Sequence, residues 1–304
     1  MSVDVRPTET LEVDGRVIRL TNPERVLWPE TGTTKRELVD YYLRVAPVLL
    51  PHVRGRALTL GRWPEGVDRT GWLQADCRGR PEWLPVHEAV TKKRGGRFAY
   101  CMVEDSAGLA WLANLGTVEL HPFLALASAP ETPTTLVIDL DPGPPAGLLD
   151  CARVALDVRE RLENDGLRPL VKVSGMLGIH VVVPLASADG LTDFASTKAY
   201  ARRLASDLAR EDPDRVTDRM TRNERPGRVY IDWVQNDASR STVAAYSPRA
   251  GQRPTVSMPV TWEELERAVT HRDPRRLVFG IGDVPERVAE IGDLFAPITA
   301  ARDV

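Results

Sequence analysis

The segment Thr134-Thr135-Leu136-Val137-Ile138 runs directly into Asp139-Leu140-Asp141-Pro142-Gly143, and this leaves the chain little local choice. β-Branched and apolar residues favour a strand, and Pro142 and Gly143 end it. Alternation along a strand then points the carboxylates of Asp139 and Asp141 to one face. Two acids side by side repel, and divalent cations relieve that repulsion while taking oxygen ligands, which makes Mg²⁺ or Mn²⁺ the natural occupant. The plainer reading of this motif alone is that D-x-D merely closes a strand at a turn. Asp232 tips the balance, because it lies in Tyr230-Ile231-Asp232-Trp233-Val234, whose apolar neighbours would bury it. A lone buried acid is costly unless it is paired or ligates a metal. Three strand carboxylates are what a two-metal phosphoryl-transfer site requires.

The flanking sequence reads as alternating strands and helices. Leu11 to Leu20 reads as a strand, and Thr34-Lys35-Arg36-Glu37 is a capping box that should open a helix. Leu38, Tyr42, Val45 and Leu49 give that helix its buried stripe, with Pro47 expected to kink or end it early. Ala57 to Trp63 reads as a strand, and Ser106 to Leu120 as an apolar helix interrupted near Gly116. Beyond the acidic strand, a helix is expected over Leu148 to Leu162 and strands over Leu170 to Val173 and Ile179 to Leu185. The short link Ser174-Gly175-Met176-Leu177-Gly178 favours antiparallel pairing of those two strands. A helix over Asp193 to Arg210, strands over Val229 to Val234 and Ala244 to Ser247, and a capping box at Thr261 complete the series. With no repeat and no Ser/Gly-rich linker, residues 1–304 read as one α+β domain with mixed or antiparallel sheets, with room for two lobes but no flexible hinge.

Composition narrows the function. The 40 Lys and Arg against 43 Asp and Glu give a net charge of −3, so any nucleic-acid footprint must be a local basic groove rather than bulk charge. Apolar runs fall far short of the ~20 residues of a membrane span. The opening Met-Ser-Val-Asp-Val-Arg-Pro has no apolar signal core, and Cys77, Cys101 and Cys151 suggest neither a disulfide framework nor a C-x-x-C metal site. A reducing, cytoplasmic and nucleoid-associated setting is the expectation. In Ser174 to His180, the glycine-punctuated turn can approach a phosphate with its N–H groups, and His180 is placed to donate to a polyphosphate. A hairpin with a core histidine is the simpler alternative. Arg225, Arg228, Arg240 and Arg249 flank Asp232 in sequence and carry charge suited to a triphosphate, although exposed arginines are usually only solvated.

The ordered series Asp-Leu-Asp-Pro, Ser-Gly-x-x-Gly-Ile-His, Ile-Asp-Trp-Val-Gln-Asn and Ala-Tyr-Ser-Pro-Arg resembles the polymerase domain of bacterial DNA ligase D, in the archaeo-eukaryotic primase superfamily. The resemblance covers nearly the whole chain. It includes the opening segment from Leu20 to Lys35, Trp63-Pro64-Glu65-Gly66-Val67, and Ala113 to His121. It implies a primase-like catalytic module with sheets flanked by helices, standing alone without ligase or nuclease modules. It also implies Asp139, Asp141 and Asp232 as catalytic metal ligands for Mn²⁺ or Mg²⁺. His121, Ser174, His180, Arg225, Gln235 and Arg249 would bind the incoming nucleotide. Arg25 and Lys35 fall where the family holds the 5′-phosphate across a DNA gap, and Trp72 and Leu73 where an aromatic pair stacks on the template.

Three departures stand out. Leu177 replaces the lysine of the family's Ser-Gly-x-Lys-Gly-x-His turn, no basic residue follows Trp72-Leu73, and Ala-Ala-Tyr-Ser replaces Ala-Pro-Tyr-Ser at Ala244 to Ser247. The leading expectation is a template-directed nucleotidyltransferase of DNA repair that extends primers at gaps or double-strand breaks and prefers ribonucleotides. NTPs or dNTPs, DNA with 5′-phosphorylated ends, Ku and an ATP-dependent ligase would be its partners in non-homologous end joining. The alternative is a DNA-end-binding scaffold whose chemistry has weakened or been lost. A metal-dependent phosphohydrolase is disfavoured, because no ligand cluster beyond the three acids supports it.

Overall fold

The computed structural model describes residues 8–91, 96–186 and 188–300, so the opening heptapeptide lies outside the described residues. Two compact units form, both discontinuous in sequence. The first takes in residues up to Pro122, Tyr246–Val256 and Gly280–Gly292. The second takes in Phe123–Ala245, Ser257–Phe279 and the chain from Asp293 onward.

In the first unit, the expected single opening strand is a hairpin of β1 (Thr8–Val13) and β2 (Arg16–Thr21). Asp14 and Gly15 both have positive φ (49° and 70°), the requirement of the tight Asp-Gly turn that the alternation had concealed. β3 (Val26–Trp28) and β4 (Thr33–Thr34) precede α1 (Lys35–Val53), which opens at the capping box. Thr34 Oγ1 accepts from Glu37 N at 3.2 Å while Glu37 Oε2 accepts from Thr34 N at 2.7 Å. The helix continues through Pro47 and Pro51. The buried stripe, which includes Leu38, Tyr42, Val45 and Leu49 together with Leu50 and Val53, outweighs the hydrogen bonds the prolines forfeit.

β5 (Leu58–Arg62) pairs antiparallel with β6 (Trp72–Gln74) and, after β7 (Val86–Thr91) and β8 (Gly96–Cys101), meets β8 at Leu58. α2 (Ser106–Asn114) ends before Gly116, whose φ of 73° turns the chain, so the expected second half of that helix is instead β9 (Thr117–Pro122), paired with β5. Cys77 and Cys101 form a disulfide, contrary to the sequence expectation. β8 brings together two cysteines that lie 24 residues apart in sequence.

The second unit is built on a six-stranded sheet. β10 (Thr135–Pro142), β11 (Leu170–Val173), β12 (Ile179–Pro184), β13 (Val216–Thr217), β14 (Val229–Asp232) and β15 (Pro259–Val260) lie in the order β13-β14-β10-β12-β11-β15. All pairs are antiparallel except β13 with β14. α3 (Leu148–Asn164) covers β10 and β12, α4 (Phe194–Glu211) packs on β10 and β13, and α5 (Trp262–His271) packs against α3. α6 (Val284–Ile291) belongs to the first unit and α7 (Ala296–Ala300) to the second. The expected α+β class with mixed and antiparallel sheets flanked by helices holds, and no described helix is long and apolar enough to cross a membrane.

Two expected strands end differently. β14 stops at Asp232, and Trp233–Gln235 turn into a 3₁₀ helix capped by the Asp232 carboxylate on Val234 N (3.1 Å). Ala244 to Ser247 is a turn rather than a strand, with buried Tyr246 at φ 65°. Where β14 ends, Asn236 takes over its pairing with β10. Its side chain accepts from Val137 N (2.9 Å) and donates to Val137 O (2.7 Å), with no exposure of the residue to solvent.

Asn236→Ala would leave both Val137 groups buried without that partner and is expected to cost about 2–4 kcal/mol in chemical denaturation. Thr34→Ala, which removes only a cap, is expected to cost about 1 kcal/mol. Equal losses from the two would refute the bridging role of Asn236.

Candidate active site

The register of the central sheet gathers the sequence's acidic residues. Asp139 lies opposite Asp232 on β14 and opposite His180 on β12, and His180 in turn lies opposite Lys172 on β11. Directly opposed residues share a face, so Lys172, His180, Asp139 and Asp232 form one polar row across four strands. Asp141, two positions along β10, is on the same face and opposite Tyr230.

Each member of the row has defined neighbours. His180 is buried, with Nε2 3.4 Å from Asp139 Oδ1 and Nδ1 3.3 Å from Thr242 Oγ1. Asp232 Oδ1 accepts from Tyr230 Oη (3.2 Å) and from Val234 N. Lys172, also buried, donates to Ser257 Oγ at 2.6 Å. As placed, no three His, Cys, Asp or Glu side chains among the described residues are grouped as a metal-binding set. The donor chemistry, three carboxylates on one face of neighbouring strands, nevertheless fits a hard divalent cation.

The glycine turn closes against this row. Ser174 Oγ accepts from Met176 N (3.3 Å) and Gly178 N (3.1 Å), and Ser174 N donates to Gly178 O (2.9 Å). A Cβ on Gly178 would lie 2.7 Å from Leu140 O and 3.3 Å from Asp141 Oδ1, so only glycine lets the turn approach β10 this closely. Arg225 sits 3.8 Å over the Tyr230 ring and donates to Met220 O, while Gln235 Nε2 donates to Ser241 O at 3.0 Å. Arg228 faces Glu224 (3.9 Å) and Pro213 O.

The first unit carries three further groups. Arg25 and Lys35 are brought together at the start of α1, where Lys35 N donates to Arg25 O at 2.8 Å. Arg25 also pairs with Glu65, and Lys35 Nζ donates to Thr21 O at 2.7 Å. Burial, followed by the charge of Arg25, pushes the Lys35 ammonium down to about 8. Trp72 and Leu73 are exposed on β6 at 45% and 57%, and the Arg62 guanidinium lies 5.4 Å from the Trp72 ring centre. His121 and Arg249 meet at a single carboxylate, Glu119. Sequence reading named neither Glu119, Arg62 nor Lys172 as a site residue. Glu119 lies inside the Ala113 to His121 segment that carries the resemblance, and the other two depend on pairing across strands.

Residues 34–295 match the family model described as the LigD primase-polymerase domain. The chain belongs to the LigD primase-polymerase family. It is 37% identical over 286 residues to the multifunctional non-homologous end joining protein LigD of Mycolicibacterium smegmatis, covering 93% of this chain and 36% of that protein. The LigD of Pseudomonas aeruginosa is 30% identical over 82% of this chain and 29% of its own length. The chain thus spans about a third of the curated relatives it matches. The solved polymerase domain of Mycobacterium tuberculosis ligase D, in complex with DNA, is similar at TM-score 0.84 and 36% identity over 93% of this chain and 98% of that one.

Within this LigD family member, the departures now have positions. Leu177 is 58% exposed at the tip of the glycine turn beside Met176, so an apolar pair occupies the place of the family's lysine. At the aromatic strand, Arg62 brings a cation to Trp72 from the neighbouring strand, although none follows Leu73 in sequence.

Gly178→Ala is expected to force the turn away from β10, costing about 1–3 kcal/mol in thermal unfolding. Gly282→Ala, at a position with open space around it, should stay within about 0.5 kcal/mol. A Gly178→Ala protein as stable as Gly282→Ala would refute the close approach.

Proposed function

We propose that this domain is a template-directed nucleotidyltransferase of DNA repair, in which a primer 3′-hydroxyl displaces pyrophosphate from the α-phosphorus of a nucleoside triphosphate. The observation that carries the reading is the cross-strand placement of Asp139 opposite Asp232, with Asp141 on the same face. Asp139, Asp141 and Asp232 would hold Mn²⁺ or Mg²⁺. Bound there, such cations supply Lewis-acid charge for the attacking hydroxyl and the departing pyrophosphate. His180 steadies Asp139. In the second unit Ser174, His180, Arg225 and Gln235, and in the first unit His121 and Arg249, are each assigned to nucleotide binding, and ribonucleotides are the preferred substrates. Trp72, backed by Arg62, offers a flat face to a template base, and Leu73 extends it. Stacking of this kind contributes about 1–3 kcal/mol per base. Arg25 and Lys35 receive the 5′-phosphate of a gap or break, Lys35 with the help of the α1 N-terminus. Ku and an ATP-dependent ligase would be its partners in end joining, in a cytoplasmic, nucleoid-associated setting.

The exposed Leu177 favours a second reading, a DNA-end-binding scaffold with weakened chemistry. Primer extension on a gapped duplex with Mn²⁺ and NTP separates the two. Extension is expected, and Asp141→Ala should abolish it. Leu177→Lys adds a charged hydrogen bond and should lower the NTP concentration needed for extension by about tenfold or more. If neither the natural chain nor Leu177→Lys extends a primer at high NTP, the scaffold reading replaces the polymerase.

The buried Lys35 predicts a pH dependence. Its ammonium is charged below about 8 and is lost as pH rises through that value, whereas a phosphate monoester keeps its second charge above about 6. A bound phosphate favours the charged lysine, so preference for a 5′-phosphate over a 5′-hydroxyl should be constant near neutrality and fall as pH passes 8. Lys35→Arg should flatten the profile. Equal binding of the two ends at neutral pH by the unmodified protein would sink the assignment.

A further inference from the structure

We infer that Glu119 is a positioning residue for nucleotide binding, holding the imidazole of His121 and the guanidinium of Arg249 through one buried carboxylate. The inference rests on the reading of His121 and Arg249 as nucleotide ligands. Glu119 and His121 are alternate residues of β9 and so lie on one face. Glu119 Oε2 is 2.8 Å from His121 Nε2, while Oε1 accepts from Arg249 Nε and from Ala250 N, both at 3.0 Å. The segment that carries Arg249 is fixed independently. Leu120 N donates to Ser247 Oγ (3.0 Å) and Tyr41 Oη donates to Tyr246 O (2.8 Å).

The opposing strand makes room for this arrangement. Gly61 lies opposite Glu119 on β5, and a Cβ there would come within 2.8 Å of the Glu119 Cβ. The carboxylate is 9% exposed, and the side chains it holds are 15% and 18% exposed. Burial by itself would raise the Glu119 carboxyl, but the His121 hydrogen bond, the Arg249 charge and the Ala250 N–H prevail and hold it at about 2.

Ionised, Glu119 can only accept hydrogen bonds, so the proton of His121 must sit on Nε2. Nδ1 is then the ring atom turned to other partners. Contact through Nε fixes the plane of the Arg249 guanidinium, which a flexible surface arginine would have to restrict on binding. One carboxylate therefore sets the tautomer of one ligand and the orientation of the other before a nucleotide arrives. A purely structural tie between β9 and the Arg249 segment would require neither.

The test uses the full chain in steady-state primer extension with Glu119→Gln and Glu119→Asp. Glu119→Gln keeps the shape but places an amide where only an acceptor fits both partners. Its KM for NTP is expected to rise about tenfold, ~1.4 kcal/mol, with kcat nearly unchanged, and Glu119→Asp should recover part of the loss. An unchanged KM would overturn the inference even if the melting temperature falls. Should Glu119→Gln fail to fold, long-range ¹H–¹⁵N spectra of the natural protein at about pH 8, above the ordinary histidine range, report the tautomer directly. With the signal assigned by its loss in His121→Gln, an Nε2–H form that shifts on adding NTP supports the inference, and an Nδ1–H form overturns it. A natural protein that neither extends primers nor binds NTP defeats the polymerase reading itself. Extension with an unaltered KM in the variant defeats only the role of Glu119.

Discussion

The antiparallel register of β10 between β12 and β14 is the constraint on which the rest of the second unit depends. It sets Asp139 between His180 and Asp232, and a slip of one residue on any of these strands would send a member of the row to the opposite face. Two features hold that register. The five-residue turn from Ser174 to Gly178 is closed by the Ser174 hydroxyl and pressed against Leu140, which ties β11 and β12 to β10. On the other side β14 is short, and Asn236 continues its pairing by bonding both main-chain groups of Val137. The same departure from strand geometry at Asp232 ends β14 and caps the following 3₁₀ turn, so one residue serves both the row and the bend.

Charge is handled differently in the two units. In the second, carboxylates face one another across strands, with a buried histidine and a buried lysine in the same row. In the first, burial at the head of α1, followed by the charge of Arg25, loosens the hold of Lys35 on its proton. Glu119 shows the opposite outcome, a buried acid kept ionised because three donors converge on it. A perturbed group is thus found beside each cluster for which a ligand is proposed in the first unit, where desolvation and neighbouring charge act together.

The departures from the family pattern also become physical questions. Leu177 and Met176 put an apolar tip where a lysine is usual, and no cation takes that place within the turn itself. The aromatic strand is compensated from the side, since Arg62 stacks on Trp72 from β5 and reaches Gln74 and Leu115 O as well. A sequence motif scored position by position records both as losses. Only the first leaves the turn without its cation.

What the sequence determined by itself is what local physics fixes. The capping boxes at Thr34 and Thr261, the strand ended by Pro142, and the hairpin between β11 and β12 each depend on neighbouring residues, and each formed where the sequence placed it. The ordered motifs fixed the family for the same reason, since they survive as short contiguous runs. Tertiary structure decided the remainder. Residues Thr117 to Leu120 were expected to continue the helix before them, and they became part of a strand that pairs with β5. Pro47 stayed inside a helix because burial of the stripe outweighed one lost hydrogen bond. Cys77 found Cys101, Glu119 found Arg249, and Lys172 found Ser257 over separations that no local pattern encodes. Contacts between residues distant in sequence are set by which strands pair and in what register, and that choice belongs to the whole chain.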